Sequence, residues 1–240
     1  VSEFLSKSER EVSCVIPAFN EEECVEAAVM EALAALQNHC SRYEIIVVDD
    51  GSIDRTAEIV REISSRRPEV NLISHSSNLG YGAALRTGFS ACNMNLIFYT
   101  DCDLQFDAQD ISLLLPFSDK NDIVAGYRKR RADNLIRIFV SKGFNIIFRL
   151  AFCLRVRDVN CAFKLFKRDV FDLIRIESDN FFVDAEILAK AKSLKMRISE
   201  VGVTHFERRG GRATVKPSNV LSTLKQMIKI KITLLKKRAL

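Results

Sequence analysis

The sequence predicts an α/β fold in which a mostly parallel sheet is flanked by helices. Along the first 125 residues, short apolar runs of strand length alternate with segments of helical periodicity, the pattern of strands joined by crossover helices. Three of those runs stop abruptly in acidic or turn-forming residues, at Pro17–Glu21, Asp49–Ser52 and Asp101–Gln105. With 240 residues and an apolar fraction of 48%, the chain can bury one large core and is not a disordered segment.

Glu11–Ile16 reads as a short buried strand that Pro17 ends, with Ala18–Asn20 as the turn. Glu21, Glu22 and Glu23 are expected to open a helix to about Leu36, where acidic residues suit the helix dipole. A second strand, Tyr43–Val48, is followed by Asp54 as the expected N-cap of a helix over 55–66. Pro68 precedes a third strand, Val70–His75. Ser77–Ala84 then enters a helix to about Cys92, with Gly80 and Gly82 allowing backbone to pass close to a ligand. Met94–Thr100 is the fourth strand, Asp107–Leu115 a helix and Asp122–Ala125 a strand.

After Gly126 the character changes. Residues 127–131 form a basic loop, and 135–156 are apolar with spaced cations, fitting a core helix, a helix pair or a face turned to lipid. Residues 156–166 are expected to be a loop feeding a strand, 168–174 and 182–194 helices, and 196–203 a strand. The run 204–216, with Gly210 and Gly211 among cationic residues, fits a loop able to fold over an anion, whereas His205 alone reads as structural. From Ser218 to Leu240 an apolar stripe through Leu221, Leu224, Ile228, Ile232 and Leu235 predicts an amphipathic helix. Its lysines allow docking at a membrane surface, on a partner or on its own domain.

A net charge of +5 suits a phosphate-bearing partner but is far below that of a dedicated nucleic-acid binder, so no nucleic-acid partner is expected. Seven cysteines without a C-x-x-C pair suggest reduced core thiols in a cytosolic protein rather than a zinc site or a disulfide framework. No apolar run reaches the roughly 18–20 residues that cross a bilayer. No signal peptide is visible, and because the sequence begins at Val1 an upstream segment is left open.

The chemistry concentrates at Asp101-Cys102-Asp103-Leu104-Gln105. In extended chain, residues two apart share a direction, so Asp101 and Asp103 would aim at one point beyond the strand end and Cys102 away from it. Two close carboxylates repel unless a cation or proton lies between them, and Mg2+ or Mn2+ suits oxygen ligands, with Gln105 adding a third. A lone D-x-D is more often a polar turn. Three such clusters on one edge of a parallel sheet favour a pocket for a nucleotide whose phosphates need a metal.

The segments V-I-P-A-F-N-E-E at 15–22, V-V-D-D-G-S-x-D-x-T at 47–56, N-L-G-Y-G-A-A at 78–84, D-C-D-L-Q at 101–105, G-Y-R at 126–128 and the basic G-G loop at 208–216 stand in order. Together they resemble the family 2 glycosyltransferases of GT-A fold, and among them the dolichyl- and polyprenyl-phosphate sugar synthases typified by dolichol-phosphate mannose synthase. The resemblance implies a single GT-A (nucleotide-diphospho-sugar transferase) catalytic domain over 1–217, followed by a basic amphipathic helix over 218–240. It implies inverting, metal-dependent transfer of a sugar, mannose or glucose foremost, from a GDP- or UDP-linked donor to a polyprenyl or dolichyl phosphate. Pro17, Phe19 and Glu21 resemble the first segment of the nucleotide pocket, and Val48 and Asp50 the positions at base and ribose. Asp101, Cys102, Asp103 and Gln105 resemble the diphosphate site, with Asp101, Asp103 and Gln105 as ligands of Mg2+ or Mn2+. Arg128, Arg208 and Lys216 resemble cations that grip phosphates, and Asp103 and Arg128 carry the catalytic roles.

The last loop departs from the common R-x-x-G-x-S-K spacing, with Thr214 in place of Ser, and Cys161-Ala162-Phe163-Lys164 departs from the usual G-F-R form. Peripheral attachment to the cytosolic face of a membrane is expected, through the tail and with a small anchoring subunit or a second copy as possible partners. Two other readings stand beside this one. An enzyme acting on a saccharide or protein hydroxyl would need a base, for which Asp184 or Asp158 are candidates. A non-catalytic nucleotide-binding subunit would need none.

Overall fold

A computed structural model describes residues 10–129, 135–207 and 219–238. In chain order the elements are β1 (Glu11–Ala18), α1 (Val25–His39), β2 (Arg42–Asp49), α2 (Thr56–Arg66), β3 (Val70–Ser74), α3 (Tyr81–Ala91), β4 (Leu96–Thr100), α4 (Ile111–Leu114), β5 (Ile123–Arg128), α5 (Leu135–Phe152), β6 (Phe163–Lys167), α6 (Val170–Leu173), α7 (Val183–Ser193), β7 (Ile198–Val203) and α8 (Asn219–Arg238). The seven strands form one sheet in the order β3-β2-β1-β4-β6-β5-β7. β1 pairs in parallel with β2 and β4, β2 with β3, and β5 with β7. β6 runs antiparallel to both of its neighbours and joins the two parallel blocks. The sheet is mostly parallel, as the alternation of runs predicts, but nothing in the periodicity announces the reversed strand.

The central strands are buried along nearly their whole length. Val12 to Ala18 of β1 and all five residues of β4 are inaccessible, which is why these segments read as continuous apolar runs rather than alternating ones. Aromatic rings from three elements and the segment after β4 meet over β4 and β6: Phe98 meets Phe163 edge-on at 4.7 Å, Phe89 meets Tyr99 and Phe166, each at 5.8 Å, and Phe106 lies 5.5 Å from Phe163.

Several boundaries differ from expectation for local reasons. Glu21, Glu22 and Glu23 precede α1 rather than open it. The Glu21 N–H donates to Thr56 Oγ1 and the Glu22 N–H to Asp54 Oδ2, so these amides serve a neighbouring loop. α2 starts one residue later than expected, with Arg55 rather than Asp54 in the N-cap position, although Asp54 still accepts the Thr56 N–H at 3.0 Å. The expected helix 107–115 is a 3-10 turn, Ala108–Asp110, one α turn and a second 3-10 turn, Leu115–Phe117, that contains Pro116. The expected strand 122–125 runs on to Arg128, because β7 pairs alongside it as far as Val203. Residues 135–152 form a single helix that ends before Cys153, whose φ is +50°.

α8 packs against α5 and α7. Met227 and Ile230 are buried there, while Ile228 and Ile232 are exposed. One face of this helix therefore belongs to the core. All seven cysteines are free thiols, six of them buried. Burial pushes the Cys92 thiol up to about 12, so it stays protonated and inert near neutral pH. No helix among the described residues is long and apolar enough to cross a membrane.

Phe98 is fully buried where β4 meets β6. Phe98→Ala is expected to cost about 3–5 kcal/mol of unfolding free energy, read as a lower denaturant midpoint.

Candidate active site

β1, β2 and β4 are parallel, so Ala18, Asp49 and Thr100 end on one edge of the sheet. Beyond that edge lies a cavity of about 400 Å³, lined by segments from the ends of β1, β2 and β4, the start of α3 and the loop before α7.

Asp50 holds the first corner. It is 3% exposed, and its two carboxylate oxygens accept the N–H groups of Leu79 (2.9 Å) and Gly80 (2.8 Å). His75 Nδ1 lies 2.6 Å from Asp50 Oδ1, and its Nε2 lies 2.9 Å from Thr87 Oγ1. The carboxylate thus pins the glycine segment against the end of β2. The turn after β1 is fixed to the same corner. Asn20, at φ +54°, accepts from the Ile53 N–H through Oδ1, and its own N–H donates to Ser52 Oγ.

The acidic stretch after β4 is a turn, not extended chain. β4 ends at Thr100, and Leu104 takes φ +57°. The pairing of Asp101 with Asp103 therefore comes from a tight reversal rather than from strand alternation. Both line the cavity. Asp101 Oδ1 accepts from the Tyr81 hydroxyl at 2.8 Å, and Asp103 Oδ1 from the Gln105 N–H at 3.2 Å. Burial first, and then the nearby Asp101, push the Tyr81 phenol well above its usual range, so it remains a donor. Cys102 also borders the cavity, and burial first and neighbouring carboxylates after it push its thiol well above its usual range.

Gln105 does not line the cavity. Its Nε2 donates to Phe206 O, and its backbone carbonyl accepts the Phe206 N–H at 2.8 Å. Phe106 and His205 form an isolated antiparallel bridge beside it, and His205 is buried with its ring edge-on to Phe106. The segment leading to the basic loop is thereby fastened to the end of the acidic turn.

The opposite wall is Asp179-Asn180-Phe181. Glu186, wholly buried on α7, accepts the N–H groups of Glu177 and Ser178, both at 2.8 Å. The Gly82 N–H donates to Asp179 O, and Arg86 pairs with Asp179 Oδ1 at 2.8 Å. Phe181 stacks on Tyr81 with ring centres 5.0 Å apart. Gly80 sits at φ +103°, and a Cβ there would lie 2.2 Å from Asp179 O; one on Gly82 would lie 2.1 Å from Ser178 O. Only glycine lets these two backbones meet.

Behind the cavity are two charged pairs. Lys164, 1% exposed, pairs with Asp184 Oδ1 at 2.6 Å, and Tyr99 donates its hydroxyl to the same oxygen. Arg128 forms a two-pronged pair with Asp158, Nε to Oδ2 at 2.6 Å and Nη2 to Oδ1 at 2.8 Å.

Residues 13–175 match the glycosyl transferase family 2 domain. The chain is a family 2 glycosyltransferase. It is 30% identical over 223 residues to a dolichyl-phosphate beta-glucosyltransferase of Trichomonas vaginalis, covering 85% of this chain and 68% of that protein. It is 32% identical over 206 residues to an undecaprenyl-phosphate 4-deoxy-4-formamido-L-arabinose transferase of Pectobacterium atrosepticum, covering 84% of this chain and 62% of that one. Its backbone superposes on glucosyl-3-phosphoglycerate synthase of Mycobacterium tuberculosis, solved with Mn2+ and UDP-glucose, with a TM-score of 0.71 at 18% identity over 95% of this chain and 80% of that one. That likeness establishes the GT-A fold.

In this glycosyltransferase Pro17, Phe19, Glu21, Asp50, Asp101, Cys102 and Asp103 all line one cavity. Val48 is buried in β2 and does not reach it, and Arg128 faces Asp158 instead. Arg208, Lys216 and the Gly210–Gly211 pair lie outside the described residues. The sequence reading missed Tyr81 as a contact of Asp101 and missed the 179–181 wall altogether. The only local signal for the wall is the turn-forming Ser178-Asp179-Asn180 run before a helix.

Gly82→Ala tests the closeness of the two walls. It is expected to lower the melting temperature and to weaken nucleotide binding at least ~10-fold, because one wall must move away from the other. Titration calorimetry with UDP and GDP reads the second effect, and wild-type affinity would show that the 179–181 wall lies outside the nucleotide site.

Proposed function

We propose that this glycosyltransferase moves a sugar from a nucleoside diphosphate donor to a polyprenyl or dolichyl phosphate, with inversion at the anomeric carbon. The observation that carries the donor half is the meeting of Pro17–Glu21, Asp50 and Asp101–Asp103 in one cavity at the carboxyl ends of parallel strands. The acceptor half is supported by the two curated relatives, whose names specify lipid phosphates. Mannose and glucose remain the foremost sugars, GDP and UDP the foremost carriers.

Pro17, Phe19, Glu21 and Asp50 would hold the nucleoside side of the donor, and Asp101 and Asp103 the diphosphate side. Among the described residues no group of three or more His, Cys, Asp or Glu side chains could hold a metal unaided. Two carboxylates completed by substrate phosphate oxygens is the arrangement that suits Mg2+, and Mn2+ takes the same oxygen ligands. Asp101 and Asp103 fit it, whereas the Gln105 side chain lies outside the cavity with its amide nitrogen on Phe206 O. When bound, the ion would neutralise charge on the departing diphosphate.

An oxygen of the acceptor phosphate attacks the anomeric carbon, the bond from that carbon to the diphosphate oxygen breaks, and the nucleoside diphosphate departs. The attacking oxygen is already anionic, so no residue has to remove a proton. Arg208 and Lys216 are proposed to offset repulsion between the two phosphate groups, a role Arg128 would take only by releasing Asp158. A hydroxyl acceptor is less well supported, because its candidate bases are engaged elsewhere: Asp184 is buried against Lys164, and Asp158 holds Arg128. Neither borders the cavity.

The acceptor's location calls for a membrane surface, and we propose that the enzyme works peripherally at its cytosolic face. Ile146 and Leu150 on α5 and Ile228 and Ile232 on α8 are exposed on helices that pack together, near the exposed Lys225, Lys229 and Lys231. That mixture suits an anionic lipid interface. A small anchoring subunit or a second copy could share the same face.

Thermal-shift screening of GDP-mannose, UDP-glucose and related donors with Mn2+ should give a metal-dependent stabilisation that names the donor, and turnover should require a polyprenyl phosphate. Asp103→Asn is expected to lower that turnover at least ~100-fold while the fold stays intact. Turnover on soluble acceptors without lipid would overturn the acceptor assignment. Ile228→Asp with Ile232→Asp should abolish co-sedimentation with anionic vesicles without lowering the melting temperature.

A further inference from the structure

Tyr81 stands inside the N-L-G-Y-G-A-A segment without a role assigned to it, yet it is held on three sides. It is the first residue of α3, directly after Gly80, whose N–H is fixed by Asp50. Its ring is stacked on Phe181 at 5.0 Å and 25°. Its hydroxyl donates to Asp101 Oδ1 at 2.8 Å. Phe181 in turn sits on the wall, and the two residues before that wall, Glu177 and Ser178, are tied through their N–H groups to the buried Glu186.

We propose that Tyr81 is a positioning residue for the metal and diphosphate site, fixing the Asp101 carboxylate by a hydrogen bond from an uncharged donor while leaving its charge for the cation. This rests on the reading of Asp101 and Asp103 as metal ligands. The chemical choice matters. A lysine or arginine at position 81 would also hold Asp101, but as an ion pair it would cancel the charge that draws a divalent ion. A residue with no donor would let the carboxylate turn, and Asp103 nearby would push it away. A phenol orients without neutralising. The stacked Phe181 limits the swing of the ring, so the direction of the hydrogen bond is set before any ligand arrives. The 179–181 wall thereby acts on the metal site through Tyr81.

The test uses Tyr81→Phe, which removes one oxygen atom and keeps the stack. Mn2+ binding is followed by electron paramagnetic resonance in the presence of saturating UDP or GDP, whichever stabilises the protein more. The variant is expected to bind Mn2+ about 5- to 10-fold more weakly, the loss of one charge-assisted hydrogen bond. Metal-free nucleotide affinity is expected to stay within about 2-fold, since the hydroxyl contacts the carboxylate and not the nucleoside. Phe181→Leu, which frees the ring without touching the hydroxyl, should weaken Mn2+ in the same direction. Wild-type Mn2+ affinity in Tyr81→Phe, or an equal loss of Mn2+ and metal-free nucleotide binding, would overturn the inference while leaving the metal reading standing. A wild-type protein that shows no saturable Mn2+ site with nucleotide present would overturn the metal reading and the inference with it.

Discussion

A single buried carboxylate decides the shape of the pocket. Asp50 spends both oxygens on the N–H groups of Leu79 and Gly80 and meets His75 as well. Those backbone groups precede α3 and have no partner within the helix. Buried and unpaired, they would each cost about 1–3 kcal/mol. Paired, they draw the start of α3 to the end of β2, and everything on that helix follows: Tyr81 reaches Asp101, and Gly82 meets the 179–181 wall. The second aspartate of the D-D-G-S segment is thus a structural tie as well as a cavity lining.

Beneath the pocket the molecule keeps charges that it could have replaced with apolar side chains. Lys164 with Asp184, and Arg128 with Asp158, are largely removed from water. Such pairs add little net stability, because desolvation offsets attraction, but breaking one partner is expensive. Their value here lies in register. Lys164 lies on the reversed strand β6 and Asp184 on α7, and Tyr99 of β4 shares the same oxygen, so three elements are aligned by one carboxylate. The wall before α7 is carried at a fixed height above the strand ends as a result.

The sequence told most where a side chain's own chemistry matched its neighbours in the chain. Strand ends at Pro17, Asp49 and Asp101 were visible because apolar runs stop at acidic or turn residues, and the cavity forms there. The Asp101–Asp103 pair was correct in position and wrong in geometry, since a turn with Leu104 at positive φ replaces extended chain. What stayed hidden depends on contacts far apart in sequence. Tyr81 meets Asp101 across 20 residues, Arg128 meets Asp158 across 30, and Gly82 meets Asp179 across a whole half of the domain. No periodicity encodes such meetings. The glutamates at 21–23 misled for a related reason: their helix-opening composition was overridden by Thr56 and Asp54, which capture the amides of Glu21 and Glu22.

The reversed strand β6 has a consequence for how the chain is made. Residues 11–100 supply β1 to β4, four strands that can pair as soon as they leave the ribosome. The outer edge of β4 then waits, with unpaired backbone groups, until residues 163–167 have been synthesised and inserted. An apolar edge left open over some sixty residues of synthesis invites pairing with another chain. Nucleotide bound to the early half would gain its second wall only after β6 and α7 arrive. Assembly of the acidic turn and closure of the site around it are therefore separate events in the life of each molecule, divided by a β4–β6 pairing that must wait for distant sequence.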